Sequence, residues 1–498
     1  MTFPTFLTVI LALPLAGFGV VALTPRRFEE FIKWIAVLFS VITFVVSLGL
    51  LAQPFAQSAE LLLLGKVDWI PSANISYALG VDGVSILLVL LTTLLSPIAI
   101  LSSWTNITER VKEYYAFMLL LEVGMIGVFI SLDLFLFYIF WEFTLVPMYF
   151  LIGIWGGPRR QYAAIKFFLY TMAGSILMLL AILWLGINGG TFYLPDLVGK
   201  SIPLGTQIWL FLAFALAFAI KVPLWPLHSW LPDAHVEAPT AGSIILAGVL
   251  LKMGTYGFIR FNLPLFPEAS HLFAPWIAGL AVIGIIYGAW VSFAQTDVKK
   301  LVAYSSVSHL GFVMLGIFSF SPIGIQGAIL QMVNHGISTG GLFLVVGMLY
   351  ERRHTRELDQ FGGVWKVMPI FGALSLIIAL SSMGLPGLNG FVGEFTILLG
   401  SFNSAALGSV WFTILATLGV IMAAVYLLWM FQKVYLGPLD KDENKKLIDL
   451  NAREVITLVP LIILIFWIGL FPDAFFKMME PSVQALLQSL PAVASVVR

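Results

Sequence analysis

Fourteen stretches of this chain are long and apolar enough to cross a bilayer, and that feature alone leaves almost no choice of fold class. A helical span needs about 20 apolar residues at 1.5 Å each. Such segments lie near 4–23, 29–52, 83–104, 114–131, 133–155, 163–187, 206–230, 240–262, 273–295, 299–319, 322–350, 367–400, 408–435 and 454–472. Hydrocarbon offers no water to unpaired amides, so unbroken apolar runs of this length are read as helices. The expected fold is an all-α polytopic membrane protein. With 60% hydrophobic and 10% charged residues, there is too little polar surface to wrap a soluble globule. The connection 53–80, with Pro54, Pro71 and Asn74, reads as a surface loop. The tail 481–498 reads as a short interfacial helix, and 4–23, which has no basic region before it, as a retained first span.

Basic residues collect in cytoplasmic loops, which gives an independent test of this map. Of the 26 lysines and arginines, nineteen fall in or beside loops that follow odd-numbered spans, and five (Lys66, Lys200, Arg260, Lys477, Arg498) on the opposite side. One span missed or added would destroy that bias. Both termini are therefore expected outside, on the periplasmic or lumenal face. The remaining two basic residues are Lys221 and Lys252, and they lie inside spans.

Lys221 ends a thirteen-residue apolar run and is followed at once by Pro223 and Pro226. Each proline removes a backbone donor and clashes with the preceding turn, so the seventh span should break beside the lysine, next to a hydrated cavity. The twelfth span carries Gly384, Pro386, Gly387, Gly390 and Gly393 and should unwind likewise. The two interrupted spans lie five apart, and an odd offset turns one unit upside down relative to the other, the pattern of inverted repeats with sites at broken helices. The division expected is 1–112 for three N-terminal helices, 113–262 and 263–436 for two five-helix repeats, and 437–498 for the last helix and tail.

A charge at the bilayer centre costs roughly 2.5–3.5 kcal/mol, so each must be paired, hydrated or neutralised. Glu122, Glu142, Lys221, Lys252, His309, His335 and Glu394 all fall near the middle of their spans or at a break. Burial penalises the charged form of each, which brings neighbouring acids and bases within range of exchanging a proton. A Glu142–Lys221 pair at contact would gain roughly 4 kcal/mol at an effective dielectric of 20, enough to switch a neighbour's proton. The blander readings are a static lysine partner for Glu122, a helix cap for Glu394, and hydrogen-bonded core histidines for His309 and His335.

His228, Asp233, His235 and Glu237 look like a metal cluster, but histidines seven apart match no HExxH or zinc-finger spacing. A hydrated loop at the cytoplasmic mouth, with His228 in a supporting role, is the simpler reading. Asp133 reads as a helix-start residue. The net charge of zero carries no nucleic-acid footprint, and the absence of cysteine excludes disulfides and thiolate-ligated zinc or iron–sulfur clusters. No cofactor is expected in this chain.

The stretch KVPLWPLHSWLPDAHVEAPTAGSIILAGVLLKMGTYGFIR, with DVKKLVAYSSVSHLGFVMLG, resembles the antiporter-like subunits of proton-pumping type I NAD(P)H:quinone oxidoreductases over nearly the whole chain. The resemblance implies fourteen core helices in two inverted repeats, broken at helices seven and twelve. It implies Glu142 and Lys221 as an interacting pair, Lys252 as the connecting lysine, and His309 and His335 as bridging groups. Glu394 marks the M-type, because L- and N-type subunits and multisubunit cation/proton antiporter chains typically carry lysine there. The stretch 76–104 looks most like the cyanobacterial and plastid form. That form implies a thylakoid location, with plastoquinone as acceptor and NAD(P)H or ferredoxin as donor. Iron–sulfur clusters would lie in other subunits, with L- and N-type neighbours and lipids as partners. The alternatives are a cation/proton antiporter subunit without a redox partner and a non-pumping spacer.

Overall fold

The computed structural model describes residues 4–490. Thirteen helices among them have the length and hydropathy of a span, from Thr5–Leu23 to Ala452–Leu470. The fourteenth is the interrupted twelfth, in two halves, Pro369–Ser382 and Asn389–Phe402, each too short to cross alone. The seventh likewise stops at Lys221, and a short helix, Trp230–Glu237, follows after an irregular turn that holds Pro223 and Pro226. Among the described residues of the tail, the last helix is Asp473–Gln488, so Pro481 lies within it rather than at its start, and 491–498 lie outside the described part.

The eighth and eleventh spans, Thr240–Leu265 and Pro322–Arg353, are buried along their whole apolar length, and the tenth, Val298–Phe318, almost as completely. The first, second, sixth, thirteenth and fourteenth are little more than one-third buried and present apolar side chains to lipid. The core is therefore a central group of helices inside a lipid-facing ring. Close approach requires small residues. A Cβ added at Gly336 would stand 2.9 Å from the Gly248 carbonyl oxygen, so the eighth and eleventh spans touch backbone to backbone.

Loop contacts sort the connections into two ends. At one end, Leu132 N–H donates to Ala78 O at 2.9 Å, Leu134 N–H to Phe192 O at 2.8 Å, and Gly83 N–H to Ser482 Oγ at 3.0 Å. These bonds join the connections after spans two, four, six and fourteen. At the other end, Gly157 N–H donates to Glu237 O at 2.9 Å, Val298 N–H to Arg356 O at 2.9 Å, and Gly363 N–H to Leu436 O at 2.8 Å. These join the connections after spans five, seven, nine, eleven and thirteen. Even and odd connections never mix in these bonds, as fourteen crossings require.

The connection 53–80 is not an irregular loop. Two strands, Leu62–Ile70 and Ile75–Val81, pair antiparallel across the turn Pro71–Asn74. The fold is thus helical with one added hairpin, whose short β-branched and aromatic runs were masked in the sequence by the prolines that bound them. Asp133 ties this hairpin down. Its Oδ1 accepts from Phe135 N–H and Leu136 N–H at 3.0 and 3.2 Å, capping the fifth span, while Oδ2 accepts from Ser76 N–H and Oγ at 2.9 Å each. Asp133→Ala is expected to cost about 1–3 kcal/mol through the lost cap and two orphaned donors. The check is a lower thermal midpoint of the solubilised protein, and an unchanged midpoint would refute it.

Candidate functional site

Lys252 lies about halfway along the 26-residue eighth span. The helix is wound as π-turns on both sides of it, at Leu246–Leu250 and Phe258–Asn262, and such turns concentrate at functional sites. Widening of the first π-turn leaves the Ala247 carbonyl beside the lysine, and Lys252 Nζ donates to it. The same nitrogen lies 2.6 Å from His335 Nδ1, on the eleventh span. The His335 ring centroid is 6.0 Å from that of His309, on the tenth span. His309 Nδ1 lies 2.7 Å from Glu394 Oε1, on the second half of the broken twelfth, and its Nε2 lies 3.2 Å from the Tyr426 hydroxyl. In a neutral imidazole, Nδ1 then donates to the carboxylate and Nε2 accepts from the phenol. Lysine, histidine, histidine and glutamate thus form one row across four helices, all buried.

The polar frame around this row escaped the sequence reading. Gln331 Nε2 donates to Glu394 Oε1 at 3.1 Å, and Asn334 Nδ2 donates to the Asn389 carbonyl at 2.7 Å, tying the start of the second half of the twelfth span to the eleventh. Ser338 and Ser381 share a 2.6 Å hydrogen bond, and Ser381 also bonds the Asn389 side chain. Gln331, Asn334, His335 and Ser338 are spaced as one face of a helix, and that periodicity in an apolar span was the signal available. Gly384 and Gly387, at φ +78° and +91°, make the break, and a Cβ at Gly384 would lie 3.4 Å from Glu394 Oε2. A polar cavity of about 10 Å³ touches His309, His335 and Thr339, the room of about one water.

Lys221 closes the seventh span, and the Ile220 carbonyl freed by the break accepts from the Trp230 indole at 2.9 Å. The lysine nitrogen stands 5.4 Å from the Trp141 ring and 5.6 Å from the Phe167 ring. The contact with Glu142 is not made: among the described residues no ion pair or hydrogen bond joins the two. Aromatic faces, which attract an ammonium by their quadrupoles, occupy the place expected for carboxylate or water. Glu142 sits one turn before Pro147, where the fifth span divides into Leu134–Phe143 and Leu145–Trp155, and Tyr138 and Ser175 flank its carboxylate. The pair is near enough to interact but not in contact.

Glu122 is fully buried in the fourth span, and among the described residues neither of its oxygens has a hydrogen-bond partner. It is not a static partner for a lysine, since Lys252 is engaged by His335 and Lys221 by aromatic rings. Glu394 is not a cap: it lies inside Asn389–Phe402 and faces His309. The stretch 228–237 is not a hydrated loop but largely a buried helix. His235 stacks on Phe343 at 4.5 Å, His228 faces Tyr287 at 5.0 Å, and Asp233 pairs with Lys166 and Arg159 at 2.7 and 3.1 Å. Lys299 donates to Ala238 O at 2.6 Å and Arg356 to Val236 O at 2.7 Å, so two cations hold the carbonyl end of this helix. Open space lies beside it instead, in a cavity of about 330 Å³ that Glu237, Lys299 and Arg356 help to line. No group of residues fit to hold a metal ion occurs among the described residues.

A polytopic helical fold with two spans broken near their middles, and with titratable side chains aligned beside the breaks, is the architecture of antiporter-like, proton-translocating membrane subunits. The family model described as "NADH:quinone oxidoreductase/Mrp antiporter, TM" matches residues 131–428. The NADH-quinone oxidoreductase subunit M of Rhodobacter capsulatus is 44% identical, covering 98% of this chain and 97% of that one. The NADH-ubiquinone oxidoreductase chain 4 of Marchantia polymorpha is 43% identical over 96% of each. Among solved structures, a chain of respiratory complex I from Thermus thermophilus with bound NADH superposes with a TM-score of 0.88 at 34% identity, covering 98% of this chain and all of that one. The chain belongs to the NADH:quinone oxidoreductase/Mrp antiporter family, as an M-type antiporter-like subunit.

Proposed function

We propose that this chain, in the membrane arm of an NADH–quinone oxidoreductase, carries protons along Lys252, His335, His309 and Glu394 while electrons move in other subunits. What supports the reading is the row itself, in which lysine–histidine and histidine–glutamate contacts are hydrogen bonds and the two histidines, 6.0 Å apart, both line a cavity with room for about one water. Proton transfer needs donor and acceptor within hydrogen-bond reach or one water apart. Lys221 and Glu142 act as the switch on the entry side: close enough to attract and not yet paired, they can close and open with the state of the neighbouring subunit. Glu122 and His228 support that half. The segments 113–262 and 263–436 are the two inverted repeats, each with one broken span, following 1–112 and preceding 437–498. The neighbours are other antiporter-like subunits, of L- and N-type, with lipid filling the gaps. With no cysteine in the chain, iron–sulfur clusters belong to the redox subunits.

The named relatives, from bacteria and a plant, support a respiratory membrane with NADH as donor and ubiquinone-type acceptors, and the bias of lysine and arginine supports termini on the periplasmic or lumenal face. The thylakoid, plastoquinone-reducing form has the stretch 76–104 as its support. Turnover of the purified complex with ubiquinone and plastoquinone analogues decides between them. For the relay, Lys221→Ala or Glu142→Ala should lower quinone-coupled proton uptake severalfold in membrane vesicles while the complex still assembles. Undiminished pumping in both would reject the switch. Sodium-driven proton flux in membranes lacking any quinone reductase would instead favour a free-standing antiporter.

A further inference from the structure

Lys252, Tyr256 and Arg260 follow at four-residue steps and lie along one face of the eighth span, running from its middle to the end where the hairpin sits. Arg260 Nη2 donates to Asp82 Oδ1 at 2.6 Å, in the turn between the hairpin and the third span. Arg260 Nε donates to the Tyr256 hydroxyl at 3.0 Å, and that hydroxyl donates to the Phe129 carbonyl at 3.1 Å. The ion pair is almost completely buried. Burial alone would raise the Asp82 carboxyl, but the adjacent guanidinium, with the Ser85 and Val84 amides, outweighs it and holds the group below the usual carboxylate range. The turn is pinned from outside, since Gly83 N–H donates to Ser482 on the helix Asp473–Gln488 and no Cβ fits at Gly83 against Met478 O.

Tyr256, Arg260 and Asp82 stand outside the proton row, yet Tyr256 and Arg260 continue the Lys252 face of the eighth span toward the hairpin end. Asp82 lies in the turn before the third span, beyond the end of the eighth, so Arg260 stands along the chain of that helix between the carboxylate's anchor and Lys252. A fixed guanidinium in a narrow polar passage excludes protons and other cations. We propose that Arg260, held by Asp82 and Tyr256, is the electrostatic bar between the Lys252 relay and the hairpin-side face, preventing protons from running back through the subunit. The proposal rests on the relay reading above.

The test is passive proton entry into proteoliposomes that hold the purified complex, with its quinone site inhibited, under an imposed pH gradient followed by a pH-sensitive dye. Arg260→Gln should raise the leak at least fivefold. Arg260→Lys, which keeps the charge, should stay near the native rate, and Arg260→Gln with Lys252→Met should return toward it because the route passes through Lys252. A native-tight Arg260→Gln, an Arg260→Lys as leaky as the glutamine variant, or an undiminished leak in the double variant would each overturn the proposal. Should Arg260→Gln fail to assemble, Asp82→Asn, which frees the guanidinium, is expected to leak at least twofold faster, and a native leak there overturns the idea as well. Failure of the relay itself shows separately, as normal coupled pumping in Lys252→Met alone.

Discussion

Lys252→Met leaves an assembled complex whose quinone-coupled proton uptake falls at least tenfold. Methionine matches the lysine stem in length and apolar volume, so the packing of the eighth span against the eleventh survives. What disappears is the titratable group bonded to His335 Nδ1, and among the described residues the other ring nitrogen has no hydrogen-bond partner. A positioned acid or base contributes about 10²–10⁴-fold to a proton transfer, and the gap left is wider than one hydrogen bond. Lys252→Arg separates charge from titration. Arginine keeps the cation but does not release a proton in a protein, so it should remain as inactive as methionine. Vesicle pumping assays normalised to NADH oxidation read both variants, and native pumping by the arginine form would sink the relay at this residue.

The second large effect is expected at Glu394. Glu394→Lys removes the acceptor shared by His309 Nδ1 and Gln331 Nε2 and sets an ammonium where both donors point. Reversing a charge about 4 Å from a partner changes their interaction by roughly 4 kcal/mol or more at an effective dielectric of 20. His309 Nδ1 then loses its acceptor, and coupled uptake should fall by at least tenfold. Glu394→Gln, neutral and nearly isosteric, should fall between the two because it still accepts from one donor. Native pumping by the lysine variant would mean that protons bypass the His309 pair. Assembly is monitored on native gels, since a buried unpaired charge also threatens folding.

Much of this was legible from the chain alone, for physical reasons. Membrane spans announce themselves because hydrocarbon tolerates so few polar groups, and the bias of lysine and arginine fixed their number. The breaks at Lys221 and before Glu394 followed from proline and glycine, whose backbone constraints need no tertiary context. Which charges meet did not follow. His335 finds Lys252 because Gly248 and Gly336 bring two backbones together, a contact set by packing and not by spacing. Lys221 was matched with Glu142, yet the structure gives its nitrogen Trp141 and Phe167 as neighbours, since apolar letters in a span do not reveal which rings face inward. The stretch 228–237 read as open loop because its polar residues suggested water. In the structure, Asp233 pairs instead with Lys166 and Arg159 at the start of the sixth span, and Lys299 and Arg356 hold the helix's last carbonyls.

The interrupted twelfth helix has one further implication. Its ends are stitched by side chains to the eleventh helix, through Asn334, Ser338 and the Asn389 carbonyl, rather than to each other by a continuous ladder. The carboxylate-bearing half and the histidine-bearing helix are therefore one mechanical piece. Glu394 and His335 are thereby held at a fixed spacing by bonds that no backbone ladder supplies.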